Sequence, residues 1–193
     1  MRCFALFMSF AACGDEGSRT GGMRAQAAEG EAGVQLPSSC AGAPTGAETL
    51  HAGALAALIP ASADIKGPCA FGSCHDSNAN KAQLILDHGT TDLHALLVTR
   101  PACEVAELAL VDDSGGDPAL AKSWLWQKLT APADSKGALT KKDAWGAAVE
   151  TCGQSSGDAP FGLRMPLSGT PDMLDASRLE PIRSWICAGA PGP

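Results

Sequence analysis

The chain has no tyrosine, and aromatic residues make up only 5% of its 193 positions, so large aromatic platforms are unavailable. Basic residues are also few. Fourteen Lys and Arg stand against twenty-one Asp and Glu, for a formal charge of −7, and no basic face is clustered, which argues against nucleic acid as a partner. No apolar run is long enough to cross a bilayer as a helix. Heptads sustained over several turns and collagen triplets are missing too, so coiled-coil, collagen-like and multi-span membrane classes are excluded. What remains is a chain with 45% hydrophobic residues, enough to bury the core of one ordinary domain with a tail. Its 22 glycines and 13 prolines commit much of that domain to turns and loops. Eight cysteines exceed what a cytosolic domain of this size carries. They point to an oxidising compartment, to metal binding or to covalent cofactor attachment.

The N-terminus has the layout of an export signal. Arg2 supplies positive charge, and Cys3 to Ala12 is a short apolar run that suits a signal-peptide core and is too short to span a membrane. Ala11-Ala12 before Cys13 resembles the bacterial lipobox, with Phe10 where Leu or Val is usual. The resemblance implies cleavage after residue 12 and acylation of Cys13, which would anchor the protein to a membrane without spanning it; ordinary signal cleavage is the alternative. Residues 13–44 read as the lipidated terminus and a flexible linker. From Gly14 to Ser39 the chain is rich in Gly, Ala, Ser, Glu and Gln, with too little apolar surface to offset its ordering entropy.

Residues 45–193 form the expected folded domain. Leu50, Ala54 and Leu58 recur every four residues and predict a helix from about Ala47 to Leu58, stopped at Pro60. A second begins near Thr91, presents Leu93, Leu96 and Leu97, and ends before Pro101. A third is predicted with Asp117 as N-cap, Pro118 in its first position, and Leu120, Trp124, Leu125 and Leu129 on its core face. In the last, Ser177 and Glu180 suit a capping box, Leu179, Ile182, Trp185 and Ile186 make the buried stripe, and Gly189 and Pro191 end it. That start places Pro181 in the first turn, where its missing N–H does no harm. Gln83 to Leu86 is at most a short extended piece. The fold class is therefore all-α, a small helical domain with long irregular loops behind a disordered tether.

Chemistry concentrates in Cys69-Ala-Phe-Gly-Ser-Cys74-His75. Two cysteines followed directly by histidine are what covalent haem attachment requires: the thiols add to the two vinyl groups and the histidine serves as proximal iron ligand. The spacing is two residues longer than C-x-x-C-H, and Gly72 helps the longer loop fold back. A six-coordinate haem needs a ligand on the far side, commonly a methionine thioether. Met165, stiffened by Pro166, lies in a loop before the last helix. Met173 competes for that role, and His88 or His94 would give bis-histidine ligation.

The order of helix, Cys-His, helices, Met-Pro loop and terminal helix resembles a c-type cytochrome domain of the kind found in exported bacterial lipoproteins, over about residues 45–191. Gly115 to Leu129 is similar to the helix before the methionine loop of such domains, and Ile182 to Pro191 to their terminal helix. The resemblance implies crossing first and last helices, haem c on Cys69 and Cys74, His75 and Met165 on the iron, and electron transfer with a redox protein partner. It also implies location in the periplasm or at the cell surface. The long stretch between His75 and Met165 implies an inserted loop around Val105–Gly116 or Asp134–Asp158.

Other readings stand beside this one. Cys69 and Cys74 can instead pinch a loop as a disulfide, in a haem-free surface lipoprotein that serves binding or structure. A zinc site would want a fourth ligand. No nucleophile elbow, H-E-x-x-H or phosphate loop is present, so a substrate-transforming enzyme is not expected; a haem peroxidase would need a displaceable distal ligand. Trp124, Trp126, Trp145 and Trp185 read as packing, and Lys141-Lys142 as a solvated turn. Apart from the signal, lipid and haem cysteines, Cys40, Cys103, Cys152 and Cys187 remain, enough for two disulfides. A Cys152–Cys187 bridge would tie the methionine loop to the last helix.

Overall fold

The computed structural model describes residues 38–44, 46–59, 75, 84–134, 137–140, 143–149, 159–165 and 175–193. The predicted signal segment, Cys13 and the predicted linker up to residue 37 lie outside them, whereas residues 38–44, expected as linker, are described and carry the bonded Cys40. Five α-helices occur among the described residues: α1 (Ala47–Leu58), α2 (Leu93–Leu97), α3 (Gly116–Lys122), α4 (Trp124–Thr130) and α5 (Ala176–Cys187). A 3₁₀ turn spans Asp143–Trp145. The described residues contain isolated β-bridges and no strand.

Helix α1 takes the predicted bounds. Five of its twelve residues are alanine, the best helix former, and Leu50, His51, Ala54, Ala57 and Leu58 are buried along one side. Ile59, held out of the α region by the following Pro60, ends it in an extended conformation. Helix α2 is shorter than predicted. The Asp92 carboxylate caps it by accepting from the Ala95 N–H at 3.0 Å.

The predicted third helix is two helices. Its start moves from Asp117 back to Gly115, whose φ of 73° glycine adopts without strain. Asp117 then lies in the first turn, and its carboxylate accepts from the Cys40 N–H instead. At Ser123 the backbone turns extended. Tertiary hydrogen bonds explain the break: the N–H groups of Trp124 and Leu125 donate to the carbonyls of Ala109 and Leu110, both at 2.9 Å. These two donors lie at the unsatisfied end of a new helix, and the neighbouring loop supplies their acceptors. The Gln127 side chain completes the joint by donating to Leu120 O at the end of α3.

Helix α5 starts two residues earlier than the predicted capping box. Asp175 is the N-cap, accepting from the Arg178 N–H at 3.1 Å and from the Ser177 hydroxyl at 2.6 Å. Pro181 is consequently inside the helix, two residues deeper than expected. It marks the contact with α1: a β-carbon added to Gly53 would lie 3.4 Å from Pro181 Cβ. The helix ends in a Schellman motif, with Gly189 at φ 84°, its N–H on Ile186 O and the Ala190 N–H on Trp185 O.

Two hydrophobic cores result. The larger joins α1, α2 and α5 through Leu50, Leu58, Leu93, Leu97, Ile182, Trp185 and Ile186, with Leu120 from α3 and Leu125, Trp126 and Leu129 from α4. The smaller gathers Ala102, Val105, Leu108, Trp124, Ala131, Leu139, Trp145 and Phe161, mostly from irregular chain. Both regions where an inserted loop was expected contribute to it. The Trp145 ring meets Trp124 and Phe161 edge-on, with centroids 5.0 and 5.4 Å apart.

Cys187, at the end of α5, is bonded to Cys40, just before α1, with Cα atoms 5.5 Å apart. The expected Cys152–Cys187 pairing is thereby corrected. The Pro181 contact sets α5 against α1 at Gly53, and the Arg183 guanidinium donates to Ser39 O, which places Cys40 beside α5. Cys103 is also disulfide-bonded, to a partner outside the described residues, where Cys152 lies.

Candidate functional site

Of the predicted haem-binding residues, His75 and Met165 are described; Cys69 and Cys74 lie outside the described residues, as does the competing Met173. His75 is half-buried. Its carbonyl accepts from the Leu86 N–H at 2.6 Å, and Leu86 is buried in the larger core. Its neighbour Ile85 lines an open cleft with Thr90, Thr91, Ala95 and Leu96, edged by Asp87 and Asp92. His75 itself is therefore tied through its carbonyl to the helical core at Leu86, next to a residue of a partly apolar depression.

Met165 is half-buried and packs against the same core. Its N–H donates to Lys128 O, near the C-terminal end of α4, at 2.7 Å. The strap leading to it is held at several points. Leu139 N–H donates to Gly162 O at 3.1 Å, and Arg164 N–H to Gly137 O at 2.8 Å. Gly162 has φ 70°, a left-handed turn that a side chain would strain.

The competing histidines are engaged differently. His88 is exposed. His94 Nδ1 donates to Ala190 O at 2.7 Å, which binds the chain terminus to α2 and leaves the proton on Nδ1. Among the described residues, no three His, Cys, Asp or Glu side chains are grouped to hold a metal ion.

Sequence reasoning missed two polar groups near this frame. His51 is buried in α1, accepts at Nε2 from the Leu93 N–H at 3.2 Å, and meets the Trp185 ring edge-on. Its spacing to Ala54 and Leu58 puts it on the buried stripe, a signal visible in the sequence. Lys128 is 9% exposed, within the run Trp124-Leu125-Trp126-Gln127-Lys128-Leu129 that is buried throughout. Its ammonium is 3.0 Å from Glu104 Oε1, and the other Glu104 oxygen accepts from Trp124 Nε1 at 2.9 Å.

With this geometry in hand, comparison with protein-family models, with curated proteins and with solved structures returns no match. Among the described residues no helix is long and apolar enough to cross a membrane.

Proposed function

We propose that the chain is a membrane-tethered c-type cytochrome that carries electrons through one covalently bound haem. The observation that carries this reading is the sequence Cys69-Ala-Phe-Gly-Ser-Cys74-His75, ahead of a Met-Pro strap and a terminal helix. It is supported by the anchoring of His75, through Leu86, and of Met165 on one hydrophobic core. Cys69 and Cys74 would hold the haem by thioethers, His75 would be the proximal ligand and Met165 the distal one. When bound, the haem would supply one-electron redox chemistry, and the chain would supply its ligation and burial.

The chain's own residues bind and orient. His75 holds its place because its carbonyl is tied to Leu86, and Met165 because its N–H is tied to α4. The apolar core that Met165 packs against, and to which His75 is tied through Leu86, would limit water at the centre. No substrate-transforming step is assigned, and the partner is a redox protein. The Cys40–Cys187 bridge supports an oxidising compartment, in keeping with export to the periplasm or cell surface and a lipid on Cys13. With Cys40 and Cys187 paired and Cys103 bridged, a lipid on Cys13 and haem on Cys69 and Cys74 would leave Cys152 as the partner of Cys103.

The test is the intact mass and visible spectrum of the mature protein. A mass raised by one haem, with absorption that survives acid-acetone extraction, is the expected result. A colourless protein with a Cys69–Cys74 disulfide overturns it and leaves a haem-free, cross-linked surface lipoprotein, with which the bridges at Cys40, Cys103 and Cys187 agree equally well. Peroxide turnover gained on replacing Met165 would point to a peroxidase.

A further inference from the structure

Lys128 is a cation on a buried helix face, next to leucine and tryptophan, where burial of a charge is costly unless it is paired. Its pairing is directional. The ammonium lies between Glu104 Oε1 at 3.0 Å and Phe161 O at 3.4 Å, 5.6 Å from the centroid of the Trp124 ring. The backbone carbonyl of the same residue accepts from the Met165 N–H at 2.7 Å. Lys128 therefore grips the strap at both Phe161 and Met165, with its head and its backbone.

Gly162, between those points, shows how closely the strap follows the cation. A β-carbon there would lie 2.7 Å from Lys128 Nζ and 3.6 Å from Glu104 Oε1. Glu104 is held in turn by the Trp124 indole, so the ammonium is aimed at the strap and not at solvent. The charge sits where a methionine or leucine would satisfy the helix equally well. A hydrophobic side chain would fill the volume but leave Phe161 O without this donor.

We propose that Lys128, oriented by Glu104, is a positioning residue that sets the place of Met165 and so its ligation of the iron. This inference rests on the cytochrome reading above. Lys128 does not touch the iron; it restricts the strap so that the thioether is presented in one arrangement, and a loosened strap would let Met165 swing away and admit another ligand.

The experiment uses the holoprotein and its Lys128→Met variant, which keeps the apolar stem and the backbone carbonyl but removes the ammonium. Glu104→Gln, which removes the charge but keeps one oxygen acceptor in place of two, is the conservative companion. Three readouts are taken: the sulfur-to-iron charge-transfer band of the ferric haem, the reduction potential, and the rate of tryptic cleavage after the exposed Arg164. Lys128→Met is expected to weaken the band, lower the potential and speed cleavage about tenfold, as loss of one charge-assisted hydrogen bond would do. Glu104→Gln is expected to retain most of the band. Placed on Met165→Leu, Lys128→Met should change neither band nor potential further, because the ligand it positions is gone.

A haem-loaded Lys128→Met protein with native band and potential overturns the positioning role, whatever its stability. A wild-type protein without haem overturns the cytochrome reading and this one together, and the cleavage rate then tells whether Lys128 still clamps the strap. Should Lys128→Met fail to fold, Glu104→Ala takes its place under the same three readouts.

Discussion

The two cores of this domain are built in opposite ways. In the larger, α1, α2 and α5 satisfy their backbone groups internally and offer aliphatic ridges to one another, with Trp185 as the one large ring at their contact. In the smaller, most of the apolar residues come from irregular chain, and the backbone is satisfied across loops: Ala102 N–H on Leu108 O, Thr140 N–H on Pro132 O, Val149 N–H on Glu104 O. Aromatic edges replace aliphatic ridges there. Helix α4 stands between the two, sending Trp124 to one side and Leu125, Trp126 and Leu129 to the other. The comparison shows why Lys128 needs a partner: it occupies the seam between two apolar cores, where Glu104 supplies the opposite charge and Phe161 O a further acceptor.

The largest expected effect falls on the helical core. The Cys40–Cys187 bridge closes a loop with a sequence separation of 147 and holds the chain before α1 to the end of α5. Replacing both cysteines by serine should lower the unfolding free energy by about 4–5 kcal/mol, as loop-closure entropy for so long a loop predicts. Equilibrium urea unfolding of the double variant measures it. A loss below about 1 kcal/mol would mean that α1 and α5 hold together without the bridge.

Next come two tryptophan truncations, one per core. Trp185 and Trp145 are both fully buried, and Trp→Ala typically costs about 3–5 kcal/mol. The distribution should differ. Trp185→Ala removes the ring that meets His51 and the donor to Pro191 O, so amide exchange should quicken across α1, α2 and α5 together. Trp145→Ala should release mainly residues 102–108, 139–149 and 161, while α1 and α5 stay protected. Equal acceleration everywhere in both variants would show that the two cores unfold as one unit.

The helical core was largely legible in the sequence because a helix writes its buried face as a period. Leu50, Ala54 and Leu58 fixed α1, and Leu179, Ile182, Trp185 and Ile186 fixed the buried side of α5. The loop core was not legible, since Val105, Leu108, Leu139, Trp145 and Phe161 follow no period and are united only by tertiary contact. The same holds for the break at Ser123, which depends on acceptors at Ala109 and Leu110, and for the partner of Cys187, which is set by how α5 lies on α1. Asp175 outcompeted Ser177 as a cap because a carboxylate accepts from both the Arg178 N–H and the serine hydroxyl. His75 and Met165 stand out in the sequence only as candidates, by His-after-Cys and Pro-after-Met, whereas Lys128 does not stand out at all, being a charge inside an apolar run.

The smallest expected effect concerns the acid side of the helical core. Arg183 is buried in α5 and grips Glu180 through Nε and Nη2, at 2.8 and 2.6 Å, while its other nitrogen reaches Ser39 O beside the bridge. The guanidinium holds the Glu180 carboxyl below its usual value of 4.5, with a smaller contribution from the Ser184 hydroxyl. A carboxyl whose folded pKa is depressed adds stability that is present above its unfolded pKa and is lost as pH falls through the folded one. Stability from this pair should therefore be complete above about pH 5 and should decline below pH 4.5. Glu180→Gln should remove that part of the acid dependence and cost little at neutral pH, because the carboxylate is partly exposed and solvent screens the pair. Thermal unfolding of both proteins between pH 3 and pH 7 reads the difference. Parallel curves over that range would assign the acid sensitivity to other carboxylates, with Asp175, whose pKa is also lowered by Ser177 and the Arg178 N–H, as the next to replace.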